Sequence, residues 1–157
     1  MKRALKILKW LAVAVACVLV GIQFMGPAKS NPAVDQSQTI HARLQVSPEV
    51  KAIFDRSCND CHSSQTRWPW YSNVAPVSWF VIDHVNHGRR HFNYSDWAQY
   101  EPDVARRLLE NSCDFARKET MPLPSYTRMH RGARLTDQDI AALCDWTGGV
   151  LREVRRR

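Results

Sequence analysis

Cys58-Asn59-Asp60-Cys61-His62 is the densest group of reactive side chains in the 157-residue sequence. Two cysteines at i and i+3 on a helical turn lie on one side of it, and the histidine after the second presents an imidazole from the same turn. That spacing suits two thioether bonds to the vinyl groups of one porphyrin, with the imidazole on its iron, as in haem c. Each competing chemistry asks for something the sequence does not supply. A zinc site needs further ligands at finger-like spacing, yet His84 and His87 lie over twenty residues beyond Cys61. A thioredoxin-like dithiol wants a βαβ setting, and the residues before Cys58 read as a helix with no strand ahead of it. A plain disulfide between Cys58 and Cys61 leaves His62 without a role.

Thioether attachment requires the unfolded chain to reach the compartment where haem is ligated, and the N-terminus predicts that export. Lys2, Arg3, Lys6 and Lys9 precede an uncharged stretch, Trp10 to Gly26, whose one strongly polar member is Gln23. Snorkelling by Lys6 and Lys9 extends the apolar length toward the roughly 20 residues of a membrane span. Gly26-Pro27-Ala28 offers a signal-peptide cleavage pattern, whereas the apolar run to Met25 is long for a cleaved segment; the reading favours a retained anchor. The basic residues place the N-terminus in the cytoplasm and the remainder outside it, as a single-pass protein. Cys17 reads as a small apolar residue of the span. The expected organisation is an anchor or signal helix over 1–26, a tether over 27–46, a haem-binding domain over 47–151 and a basic tail over 152–157. The tether assignment rests on Pro27, Ser30, Asn31, Pro32, Ser37 and Gln38 and on the lack of periodicity, and its role is reach. It leaves His41 exposed.

Composition agrees with one folded domain, since 45% of residues are apolar and 24% charged. The net charge of +7 lies at the ends. Residues 1–34 hold five Lys or Arg and no acid, residues 152–157 hold four Arg against Glu153, and residues 35–151 keep 13 bases and 14 acids. A nucleic-acid-binding face is therefore not supported.

Three helices are needed to position the motif. Ser47 caps a helix with Pro48 at its first position and Val50, Ile53, Phe54 and Ser57 at helical spacing, leading into Cys58. Pro102 opens a second, with Val104, Ala105, Leu108, Leu109, Cys113 and Ala116 as one stripe ending near Arg117 and Lys118. Thr136 caps a third, with Asp139 three residues on and Ile140, Leu143, Cys144 and Thr147 on one face, stopping at Gly148-Gly149. Trp146 should pack this last helix on the first. No strand-like alternation competes, so the class is all-α.

The placing of Phe54 four residues before Cys58, the Cys58 to His62 motif, Met121-Pro122 and the helix opening Leu135-Thr136-Asp137 resembles a small class I cytochrome c. The run from Cys58 through Trp68-Pro-Trp70-Tyr71-Ser72, then Ala75 to Trp79, Gly88 to Trp97, Met121-Pro122 and Tyr126 to Leu135, resembles the bacterial haem-binding domain family of membrane-anchored monohaem proteins. Gln23, Pro27 and Ser30-Asn31-Pro32 resemble that family's anchor and its exit. The resemblance implies a cytochrome c-like helical domain around one covalently attached haem c.

Met121 is the preferred sixth iron ligand, because a neutral, soft thioether raises a haem's potential and Pro122 and Pro124 hold the segment extended. The alternative fate of Met121 is to fill a gap in the core. His130 and His91 are the rival ligands, and His84, His87 and His91 also fit a solvated cluster. The aromatics between Trp68 and Trp97, with Trp68, Trp70 and Tyr71 foremost, are expected to wall the haem or to form ordinary core. Arg89, with Arg67 and Arg90, could pair with haem propionates or lie on the surface. Cys113 and Cys144 are chemically free to form a disulfide outside the cytoplasm, and spacing does not decide it. The expected function is one-electron transfer with redox partner proteins. The alternative is a sensor or peroxidase-like enzyme with an open iron position and a histidine of the 84–91 group beside it.

Overall fold

Side-chain caps open several of the helices in the computed structural model, which describes residues 2–156. α1 (Lys2–Gly21) runs into a short turn at Ile22–Phe24 and buries none of its side chains. Asp35 accepts from Ser37 N to open a turn at Gln36–Gln38, and Thr39 accepts from Ala42 N to open α2 (Ile40–Arg43). Ser47 Oγ accepts from Val50 N at 3.3 Å and starts α3 (Pro48–Ser57), as its sequence predicts. α4 (Asn59–His62) is a single turn. A turn at Trp70–Asn73 leads to α5 (Val77–His91), and another at Tyr94–Gln99 leads to α6 (Pro102–Arg117). α7 (Pro124–Met129), a turn at Arg131–Ala133 and α8 (Asp137–Arg156) complete the chain. No strand occurs among the described residues, so the all-α class holds.

α8 begins with a reciprocal cap. Thr136 N donates to Asp139 Oδ2 at 2.8 Å, and Asp139 N donates to Thr136 Oγ1 at 3.2 Å. The expected stop at Gly148-Gly149 is wrong, because α8 continues to Arg156. Each glycine costs a helix about 1 kcal/mol, but Trp146, Val150 and Leu151 pack against the core on both sides of the pair and hold the turns together. Residues 152–156 are thus the last turns of α8 and no separate tail, and Arg157 lies outside the described residues.

The core gathers Ile40, Val50, Phe54, Phe92, Tyr94, Trp97, Leu109, Ala116 and Leu143. α6 packs along α8 and is bonded to it by the disulfide Cys113–Cys144, with Cα atoms 4.9 Å apart. α3 packs on α8 and α4, and α4 packs on α5. Trp146 stands edge-on to Phe54 of α3 at 5.5 Å, as expected.

Residues 27–46 are a strap and not a reaching tether. Ile40 is fully buried, Asn31 Nδ2 donates to Thr66 O at 2.9 Å, and Trp146 Nε1 donates to Gln45 O at 2.8 Å. The strap lacks periodicity because its partners are loops and helix ends far away in sequence. His41, expected to be exposed, is half-buried edge-on to Phe54 at 5.8 Å, and burial pushes its pKa down.

Candidate functional site

α3 delivers its last carbonyls directly into the Cys58 to His62 turn. Cys58 N donates to Phe54 O at 3.0 Å, and His62 N donates to Cys58 O at 3.0 Å. Both thiols are free, and both lie partly buried. Burial pushes each up to about 11, the reverse of the depressed thiol that marks a reactive dithiol. Burial likewise pushes the His62 imidazole down, against the opposing pull of the Phe92 carbonyl. The His62 Nδ1–H donates to Phe92 O at 2.9 Å, which leaves Nε2 as the nitrogen with a free lone pair. This is the arrangement by which proteins orient a metal-binding histidine.

Two cavities flank the turn, and both are bordered by α5 and by the segment Met121–Leu123. The first, of about 410 Å³, is lined by Phe54, Cys58, His62, Tyr94, Leu108 and Met121 among others. The second, of about 390 Å³, lies on the Cys61 side, with Trp70, Tyr71, Tyr126, Met129 and His130. His62 and Met121 therefore share one apolar slot with Cys58, while Cys61 faces its neighbour. These residues fit a haem: apolar cavities of ligand size, two free thiols on one turn, and an imidazole held through Nδ1 by a backbone carbonyl.

The remaining predicted residues divide. Trp70 and Tyr71 line the second cavity, and Trp70 is 74% exposed. Trp68 lines neither cavity; its Nε1 donates to Asn31 Oδ1 of the strap at 3.2 Å. Arg89 spends its donors on protein, with Nε on Ser63 O, Nη1 on Ser30 O, and Nη2 on both Asn31 Oδ1 and Thr66 Oγ1, all at 2.7–2.9 Å. It binds the strap to the residues following the motif. His87 and His91 line the first cavity with their rings tilted against each other at 4.4 Å, and His84 lines the second. His130 is away from His62: it accepts or donates at Nε2 to Tyr71 OH at 2.6 Å and stacks on Tyr126 at 4.4 Å. Met121 is 38% exposed, at the end of a turn in which Glu119 takes a left-handed φ of 53°.

Three residues not singled out by sequence reasoning hold the site. Asp60 is buried and accepts from Arg67 N at 3.1 Å, Arg67 Nε at 3.2 Å and Tyr126 OH at 2.8 Å. Burial and that same bond push the Tyr126 hydroxyl far above its ordinary range. Gly88 lets α5 press on the motif, since a Cβ there would stand 2.5 Å from Cys61 O. The signal for Asp60 was its acidity inside the motif; nothing in the sequence indicated what Gly88 or Tyr126 would touch.

A family model described as a haem-binding domain matches residues 17–148. No curated protein and no solved structure matches the chain.

Proposed function

The chain belongs to the haem-binding domain family, and from that premise we propose that it is a monohaem c-type cytochrome that carries single electrons at the outer face of the bacterial cytoplasmic membrane. The observation that carries the reading is the His62 ring, bonded through Nδ1 to Phe92 O and lining an apolar cavity with Cys58 and Met121, one residue from the free Cys61 thiol. The Cys58 and Cys61 S–H groups add across two vinyl groups, so that nothing is lost and the chain gains the mass of one haem. When bound, the haem supplies a one-electron couple between ferrous and ferric iron. His62 Nε2 would be the nitrogen offered to the iron, and the Phe92 carbonyl keeps the ring oriented. The Met121 thioether, in the same cavity, would be a second ligand to the iron, and Phe54, Tyr94 and Leu108 would keep water away. α1, long and apolar enough to cross a membrane, is retained as the anchor, and redox proteins are the partners.

Protein matured in a host with haem-ligating machinery should be red after denaturation and heavier than the polypeptide by one haem. Colourless protein, or protein of bare polypeptide mass, overturns covalent attachment. Ferrous protein that ignores carbon monoxide supports electron transfer. Ready gas binding would instead favour a sensor or peroxidase-like site, with His87 and His91 already lining the cavity.

A further inference from the structure

The residues between α1 and the strap already bond the end of α1 to the domain. Gln23 Nε2 donates to Ala75 O at 3.2 Å, and Ala75 N donates to Gln23 Oε1 at 2.9 Å. Three residues later a Cβ on Gly26 would come within 2.7 Å of Trp79 Nε1, and Lys29 bonds Asn73. The end of the apolar helix is thus clamped to the start of α5, with no slack between them.

Around that clamp the surface is apolar. Phe24 is 86% exposed, Trp70 74% and Phe80 54%, and Met25, Val74 and Val77 are exposed as well. Residues 68–82 contain no charged side chain in a chain that is 24% charged, and neither do residues 22–28. An uncharged, tryptophan-bearing face that continues the end of a membrane-crossing helix has the composition of an interfacial belt. Trp70, Val77 and Phe80 border the second cavity on one side and turn the rest of their exposed area outward, whereas Phe24, Met25 and Val74 line neither cavity.

We propose that this face beds into the interfacial layer of the membrane that α1 crosses, so that the domain lies against the lipid surface at a fixed orientation. The inference rests on the reading that α1 is retained as an anchor. The occupant is lipid because the clamp brings Val74, Val77 and Trp70 to the level at which α1 leaves the bilayer, where Lys29 can meet headgroup phosphates.

The test uses the full chain in vesicles of phosphatidylethanolamine and phosphatidylglycerol. Val74→benzoylphenylalanine and Val77→benzoylphenylalanine, with Glu110→benzoylphenylalanine on α6 as the control, are irradiated and weighed. A mass gain of one phospholipid at 74 and 77 and none at 110 supports the proposal. No lipid adduct at 74 and 77, an adduct to a second copy or another protein there, or a chain that has lost α1 overturns it. Phe80→benzoylphenylalanine, a ring replacing a ring, serves where the valine variants do not fold. Val77 and Phe80 border the second cavity, so the absorbance that separates the two claims is that of the unsubstituted chain in the same vesicles: a colourless parent with lipid adducts on the variants fells the haem c reading and leaves the docking, and a red parent without lipid adducts on the variants does the reverse.

Discussion

The two walls of the first cavity are built in opposite ways. On the His62 side the ring is bonded to Phe92 O, Gly88 brings α5 against Cys61, Arg89 holds Ser63 and Thr66, and Asp60 collects three donors. On the Met121 side the chain turns through Glu119 in a left-handed conformation, and its nearest backbone anchors are bonds from Thr120 N and Met121 N to Phe115 O at 3.1 and 3.3 Å. One wall is a frame that positions its ligand before anything binds. The other is a loop whose position depends on what closes it, and the disulfide Cys113–Cys144 spans the whole loop that carries Met121 and α7.

That contrast breaks most directly at the disulfide. Closing 31 residues is worth about 3.5 kcal/mol by loop entropy, so Cys113→Ala/Cys144→Ala should lower the unfolding free energy by about that amount in a denaturant titration. A fall below about 1 kcal/mol would mean that the loop is held by its own contacts and that the walls are more alike than described.

Gly88→Ala tests the framed wall. The methyl would meet a backbone carbonyl, which cannot swing aside, and the expected cost is about 2 to 3 kcal/mol together with less bound haem. Gly132→Ala is the control, since a Cβ there meets nothing within 4 Å, and its effect should stay within about 0.5 kcal/mol. Equal responses from the two glycines would remove the close approach from the account. Asp60→Ala should cost about 2 kcal/mol in the same titration, because it strips a buried acceptor from Arg67 and Tyr126. Asp60→Asn, which keeps one oxygen, should cost about half as much.

How much of this was legible follows from where each signal lies. α3, α6 and the start of α8 were readable because Ser47, Pro48, Pro102, Thr136 and Asp139 act within their own first turns. α5 was not, since Ile82 and Val85 are buried on one side while Val77 and Phe80 are apolar on the other, which blurs the helical stripe. The strap was misread because Asn31, Ile40 and Gln45 have partners dozens of residues away, and no local pattern encodes such contacts. At the site, the grouping of Cys58, Cys61 and His62 on one turn was readable from spacing, whereas Arg89 and Trp68 were given to the haem on residue type and the structure gives their bonds to the strap. The disulfide that spacing left open is formed.

Met121→Ala is expected to change stability least and to discriminate most. More than a third of the side chain is exposed, so removing it should shift the unfolding free energy by less than about 1 kcal/mol when the iron is left out of account. If its sulfur closes the iron, the variant loses the weak long-wavelength ferric band of sulfur ligation and gains carbon monoxide binding, since the cavity then holds an open coordination position. His130→Ala should leave both spectra unchanged, because that ring is engaged by Tyr71 and Tyr126 in the neighbouring cavity. A Met121→Ala protein with the parent's spectrum would take Met121 off the iron and leave the loop wall as lining alone.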